Sequence, residues 1–217
     1  MHLENENYFK ILPSAEESYK NIIKSLHRES NPEEIISTTQ HCLWYLRDIF
    51  AFLISIAYDG IITQGHIKSE SKKDFNKHLD PKLKWSDGHH PRIFRQLIES
   101  IDNKNNGHPS LNIKKIFNKH IDLFKRIERE YPRIRNLVLG HGRKPEINSS
   151  QAEIVILVDL INKIQEPLKI LEGYKIIYPG ESNFKDGKNN HLLTYLKTND
   201  VIKYETRENY DSNNLYL

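Results

Sequence analysis

The 217-residue sequence is poor in cysteine and glycine, and each shortage excludes a class of site. Its single cysteine, Cys42, rules out an internal disulfide, and the apolar neighbours Leu43 and Trp44 predict a buried side chain rather than a reactive thiol. The nine glycines are not clustered, so the chain has no phosphate-binding loop and no glycine-rich dinucleotide motif. Because no spacing matches a defined zinc site, we expect neither a metal nor a cofactor.

Long hydrophobic runs are also missing. The longest apolar stretch, residues 49–58, is shorter than the ~20 residues that span a bilayer, and Ser55 interrupts it. The first ten residues are polar and acidic, and they lack the basic segment and the apolar run of a signal peptide. One cysteine fits a reducing compartment. The sequence therefore predicts a cytoplasmic protein with no membrane role.

Positive charge is concentrated in one segment. The net charge of the chain is only +3, which excludes a polycation. Residues 112–144, however, carry ten lysines and arginines against three acidic residues. Such a segment attracts phosphate groups. A solvated helix face has the same composition, so both interpretations stay open here.

Apolar residues recur at helical spacing along most of the first 171 residues. Ser14 and Glu17 form a capping box at the start of the first helix. Asn31 and Pro32 suit the cap and the first turn of a second helix, which is apolar on two faces and therefore central in a bundle. The predicted helices span residues 14–27, 31–58, 91–101, 111–131 and 150–171.

Glycines and prolines mark the expected ends of these helices. Gly60 ends the second helix, and Pro132 interrupts the fourth before a further short helical segment. Ser150 and Glu153 form a second capping box that begins the last helix. Residues 61–90 are irregular and polar, which predicts a long exposed excursion.

After Gly173 the composition changes to strand-forming residues separated by turn residues, with strands predicted over residues 174–178 and 201–204. The fold class is therefore mainly α, a bundle of about five helices with a small β-rich C-terminal extension. We place the bundle in residues 1–172 and the extension in residues 173–217. The apolar end of the extension predicts either the truncated start of a second module or a strand that closes a small sheet.

One group of residues carries chemistry, namely Arg135, Asn136 and His141. The spacing from arginine to histidine alone is no better than chance, but the group follows a basic amphipathic helix, and glycines flank the histidine. RNA contains its own nucleophile, the 2′-hydroxyl, so cleavage needs only proton transfer and charge stabilisation. His141 titrates near neutrality and suits general acid or base catalysis. Arg135 can bind two phosphate oxygens, and Asn136 can orient the histidine or bind the 2′-hydroxyl.

These residues resemble the motif of the HEPN superfamily, whose helical bundles carry an arginine, often with an adjacent polar residue, and a histidine separated from the arginine by four to six residues. The resemblance covers residues 14–171. It implies a metal-independent endoribonuclease of a prokaryotic defence, toxin or stress system, which leaves a 2′,3′-cyclic phosphate and a 5′-hydroxyl. It also implies a homodimer, because two motifs meet across the interface in HEPN ribonucleases. From the basic segment we expect RNA contacts by Arg129, Arg133, Arg143 and Lys144.

Other functions stay open. One is a non-catalytic HEPN-like bundle that binds RNA or a nucleotide, or serves as a sensor or dimerisation module of a larger protein. Another is a toxin silenced by a partner antitoxin, although silencing in that family modifies a tyrosine just after the histidine, where this chain has Gly142 and Arg143. A further alternative is that the arginine and histidine only cap a helix and bind its backbone carbonyls.

Two further groups have structural interpretations. His89 and His90 stand near Asp87 and His78, but loop histidines are a better explanation than a metal site. Arg47 and Asp48 lie within the apolar second helix and need partners there. They are either structural or they support His141.

Overall fold

The structure is a computed structural model that describes residues 12–26, 31–63, 87–101, 108–139, 147–174, 177–185, 188–195 and 201–206. Most described residues are helical, which confirms the mainly α prediction. Six α-helices are described: α1 (Pro13–Leu26), α2 (Pro32–Thr63), α3 (His90–Ser100), α4 (Pro109–Lys119), α5 (Ile121–Leu139) and α6 (Ile147–Leu168). Short 3-10 turns, Asp87–His89 and Lys169–Gly173, precede α3 and follow α6.

Three strands follow the helices in the chain. They are β1 (Ile177–Lys185), β2 (Lys188–Tyr195) and β3 (Val201–Thr206), which form an antiparallel sheet in that order. The register between β1 and β2 shifts between Pro179 and Ser182. The division of the chain into a bundle and a separate β-rich extension stays a prediction.

The α2 helix begins as the sequence predicts and ends later. Asn31 caps it, because its side-chain oxygen accepts a hydrogen bond from the Glu34 N–H at 2.9 Å. The prediction that Gly60 ends the helix is wrong, since Gly60 is buried inside it. A Cβ at this position would lie 2.2 Å from the Ser110 hydroxyl oxygen, so the glycine allows the first turn of α4 to approach α2 closely.

Four phenylalanines from four helices form the centre of the core. Phe50 of α2, Phe94 of α3, Phe117 of α4 and Phe124 of α5 are each at most 3% exposed. Phe94 contacts the other three rings, with centroid distances of 5.6, 5.9 and 5.4 Å to Phe50, Phe117 and Phe124. Edge-to-face and tilted pairs of this kind stabilise a core beyond their burial alone.

The predicted fourth helix is divided at a different residue from the one we expect. The chain leaves helical geometry at His120, between α4 and α5, whereas Pro132 lies inside a continuous α5. Proline removes one backbone hydrogen bond from a helix. Buried side chains on both sides of it, Ile127, Tyr131 and Ile134, hold α5 against the core and offset that loss.

The α6 helix packs beside α2 and α5. The buried Gln165 amide of α6 donates a hydrogen bond of 3.0 Å to the Tyr45 hydroxyl of α2. The capping box predicted at Ser150 and Glu153 is wrong, because α6 begins earlier, at Ile147, and the Glu153 carboxylate bonds Arg133 of α5 instead. Within the described part of the chain, no helix has the length and apolarity needed to cross a membrane.

Truncating Phe94 tests the aromatic centre. Phe94→Ala removes three ring contacts and leaves a cavity, so we expect the free energy of unfolding to fall by about 4 kcal/mol. Phe94→Leu keeps most of the volume and should lose only about 1.5 kcal/mol. Urea denaturation of both variants measures the difference, and equal losses would contradict the role assigned to the ring contacts.

Candidate functional site

The last turns of α5 carry the described part of the arginine–histidine motif. Ile134 and Val138 face the core and are 0% and 8% exposed. Their burial fixes the rotation of the helix. Arg135 is therefore half-buried, whereas Asn136 and Leu137 are exposed on the same turn.

Arg135 is the arginine of α5 whose guanidinium is least engaged. One terminal nitrogen, Nη1, donates to the Asn136 side-chain oxygen at 3.1 Å. Its Nε lies out of contact with solvent and has no acceptor. Within the described residues, no carboxylate pairs with it. A desolvated guanidinium with unused donors favours an anion beside it, and a phosphate fits that requirement.

Arg133, two residues earlier, is tied into the fold. Its Nη1 and Nη2 donate to the two carboxylate oxygens of Glu153 on α6 at 2.9 and 2.7 Å. Its Nε donates to Glu130 at 2.8 Å. These hydrogen bonds, first those to Glu153, raise the pKa of Arg133 above its ordinary value. The prediction that Arg133 binds RNA stays a prediction, and the structure gives this side chain a packing role.

Arg129 is the most exposed arginine of α5, with 72% of its side chain accessible. Its Nε donates to Glu130 at 2.8 Å. Hydrogen bonds from Arg133 and then Arg129 lower the pKa of Glu130. Arg129 keeps its two terminal nitrogens for an external anion, because that hydrogen bond uses only Nε.

The basic segment is partly neutralised by acids that lie outside it in the sequence. Arg126 pairs with Asp159 of α6 at 2.6 Å, and Arg133 pairs with Glu153 of the same helix. Lys114 donates to the Ile101 carbonyl. The segment therefore presents less free positive charge than its sequence indicates, because some of its cations are engaged in contacts between helices.

A histidine that we interpret from sequence as a loop residue belongs to a turn that contacts α5. The turn that ends in His89 packs against α5. On the following helix, Arg95 bonds both carboxylate oxygens of Glu128 at 2.7 and 3.0 Å. No sequence signal shows this proximity, since it depends on how two helices pack.

Three predicted site residues, His141, Arg143 and Lys144, lie outside the described residues, as does His78. Among the side chains that are described, no group of three or more histidine, cysteine, aspartate or glutamate residues could hold a metal ion. Arg47 and Asp48 pair with each other at 2.9 Å, which accounts for a charged pair in so apolar a helix.

Removing the cation of the cross-helix pair tests its structural role. Arg133→Met leaves the Glu153 carboxylate, 7% exposed, without the donors that neutralise it. We expect the free energy of unfolding to fall by about 2 kcal/mol, a value reduced from that of a fully buried pair because Arg133 is half-exposed. The double variant Arg133→Met with Glu153→Met should recover most of that loss in urea denaturation.

Arg129→Met provides the matched control, because Arg129 bonds the same Glu130 from an exposed position. Its free energy of unfolding should stay within about 0.5 kcal/mol of the wild type. If the double variant is no more stable than Arg133→Met alone, the unpaired carboxylate does not explain the loss.

Comparison with other proteins adds no assignment. No protein-family model matches the chain, and no curated protein or solved structure is significantly similar to it.

Proposed function

We propose that the chain is a HEPN-type endoribonuclease that cleaves RNA without a metal, in a prokaryotic defence, toxin or stress system. The observation that carries the proposal is the state of the arginines on α5. Arg126, Arg129 and Arg133 each bond a carboxylate, whereas among the described residues Arg135 bonds only the neutral Asn136. A phosphate beside Arg135 would accept hydrogen bonds from the terminal nitrogens of its guanidinium.

The proposed reaction uses the 2′-hydroxyl of the RNA as the nucleophile. A general base takes the proton of this hydroxyl, its oxygen attacks the adjacent phosphorus, and the bond from phosphorus to the 5′-oxygen breaks. A general acid protonates the departing oxygen, which leaves a 2′,3′-cyclic phosphate and a 5′-hydroxyl. Arg135 stabilises the charge that develops on the phosphoryl oxygens. His141 follows Leu139, the last residue of α5, by two residues and is the proposed acid or base.

We further propose that the enzyme acts as a homodimer. One histidine cannot hold a proton and accept one in the same step, so a second copy supplies the other member of the acid–base pair. We assign the contact surface to this end of α5, where Leu137, an apolar side chain 41% exposed, lies on the same turn as Arg135. Asn136 is exposed beside it and can bind a 2′-hydroxyl or orient the histidine.

The second candidate is a HEPN-like module that binds RNA or a nucleotide without cleaving it, within a larger protein. The observation that favours it is the engagement of Arg126 and Arg133 in ion pairs, which leaves Arg135 and Arg129 as the described α5 arginines with donors for RNA. A site with so few free cations can hold a phosphate without stabilising a transition state.

Cleavage of labelled RNA in EDTA separates the two candidates. We expect the wild type to produce cyclic-phosphate ends without added metal, and Arg135→Ala or His141→Ala to lower the rate by about 100-fold or more, the range for loss of a general acid or an oxyanion-binding donor. Lys20→Ala, which removes an exposed cation on α1, should cleave at the wild-type rate. RNA binding that persists without any cleavage by the wild type would favour the binding module.

The oligomeric state is tested at the same end of α5. Leu137→Lys places a charge on the proposed contact surface, and we expect analytical ultracentrifugation to show monomer for this variant and dimer for the wild type. Cleavage should fall with dimer content, whereas Ile170→Lys, at an even more exposed apolar position after α6, should change neither. A wild type that cleaves RNA as a monomer rules out the composite site.

A further inference from the structure

A cavity of about 260 Å³ lies on the side of the bundle where α1 ends and α2 begins. The first turns of α6 close its third side. Pockets for drug-sized ligands start at about 300 Å³, so the cavity accommodates a smaller molecule. It contains none of the residues assigned to RNA cleavage, and its role does not depend on that proposal.

The polar wall of this cavity offers hydrogen-bond acceptors. The Ser25 hydroxyl donates its hydrogen to the Asn21 carbonyl at 2.9 Å. The Thr38 hydroxyl donates to the Glu34 carbonyl at 2.7 Å. Each hydroxyl has only one hydrogen, so both keep lone pairs that can accept a hydrogen bond. The third polar group of the wall, the Glu34 carboxylate, also accepts.

One oxygen of the Glu34 carboxylate accepts no hydrogen bond from the described residues. Its Oε2 lies out of contact with solvent and has no hydrogen-bond partner. Among the described residues no lysine, arginine or histidine pairs with this side chain. The positive end of α2 favours a carboxylate in the first turn and helps to explain how it persists there. An unpaired desolvated charge nevertheless favours a cation beside it.

Gln151 lines the cavity from an exposed position, and the remaining wall is apolar. Ile35 and Ile154 are 3% and 5% exposed, whereas Val155 is 54% exposed at the open side. A ligand that fits both walls has N–H donors at one end and a few methylene groups at the other.

We propose that this cavity binds a small organic cation, an ammonium or guanidinium on a short aliphatic chain. The cationic end donates to Glu34, Ser25 and Thr38, and the aliphatic end packs on Ile154 and Val155. A guanidinium matches a carboxylate with two parallel N–H bonds, and an ammonium offers three donors to three acceptors.

Titration of the full chain with n-butylguanidinium and n-butylammonium, followed by NMR chemical shifts, tests the proposal. We expect a dissociation constant of about 1 mM, which is reasonable for so few heavy atoms. The neutral n-butylurea has nearly the same shape and also donates N–H bonds, so it should bind at least about tenfold more weakly if charge is recognised. Preference for one cation over the other identifies which group the cavity accepts.

Two pairs of variants locate the site. Glu34→Gln should weaken binding by about tenfold or more, whereas Glu33→Gln, one residue away on the exposed side of the same turn, should change it by less than about twofold. Thr38→Val removes an acceptor of the cavity and should weaken binding. Thr39→Val is the control and should leave binding unchanged, because its buried hydroxyl bonds the Ile35 carbonyl away from the cavity.

If butylurea binds with the same affinity as the cations, the cavity does not recognise charge. Equal effects of Glu34→Gln and Glu33→Gln would overturn the site, as would unchanged chemical shifts at the cavity residues with either cation. If Glu34→Gln does not fold, the Thr38→Val and Thr39→Val pair decides alone. RNA cleavage by these variants should match the wild type, so this proposal and the ribonuclease proposal fail by different measurements.

Discussion

The bidentate ion pair between Arg133 and Glu153 is the constraint on which the site end of the bundle depends. It joins α5 to α6 with two hydrogen bonds of 2.7 and 2.9 Å, and Glu153 is 7% exposed. A charge so far from water needs its partner, so the pair sets how α5 lies on α6. With that placement Ile134 and Val138 face the core, and Arg135 is held half-buried beside them. The position of Arg135, the proposed catalytic arginine, therefore depends on the packing role of Arg133.

The aromatic centre positions the other face of α5. Phe124 packs in the same cluster as Phe50 and Phe94, so α2, α3 and α5 share one core. The α3 helix is anchored there and by the pair of Arg95 with Glu128, and the turn before it also contacts α5. The α3 helix thus holds α5 both in the core and at its surface.

The α6 helix contributes to two surfaces of opposite character. Glu153 reaches α5 and neutralises Arg133, while the next residue, Ile154, lines the cavity that contains Glu34. Successive helix residues point about 100° apart, so neighbours in sequence serve different surfaces. The proposed RNA site and the proposed cation site are consequently separate. Among the described residues, the first contains a guanidinium without an anionic partner and the second a carboxylate without a cationic partner.

The sequence by itself determined the helical class and the start of α2, because caps and apolar spacing act over a few residues. Only the tertiary structure decided that Gly60 and Pro132 lie within helices, since burial against distant side chains outweighs their local preference. It also decided which arginines of α5 pair with a carboxylate of another helix. Their partners, Asp159 and Glu153, are distant in sequence, and a charge pattern along the chain contains no information about which distant acids will face it.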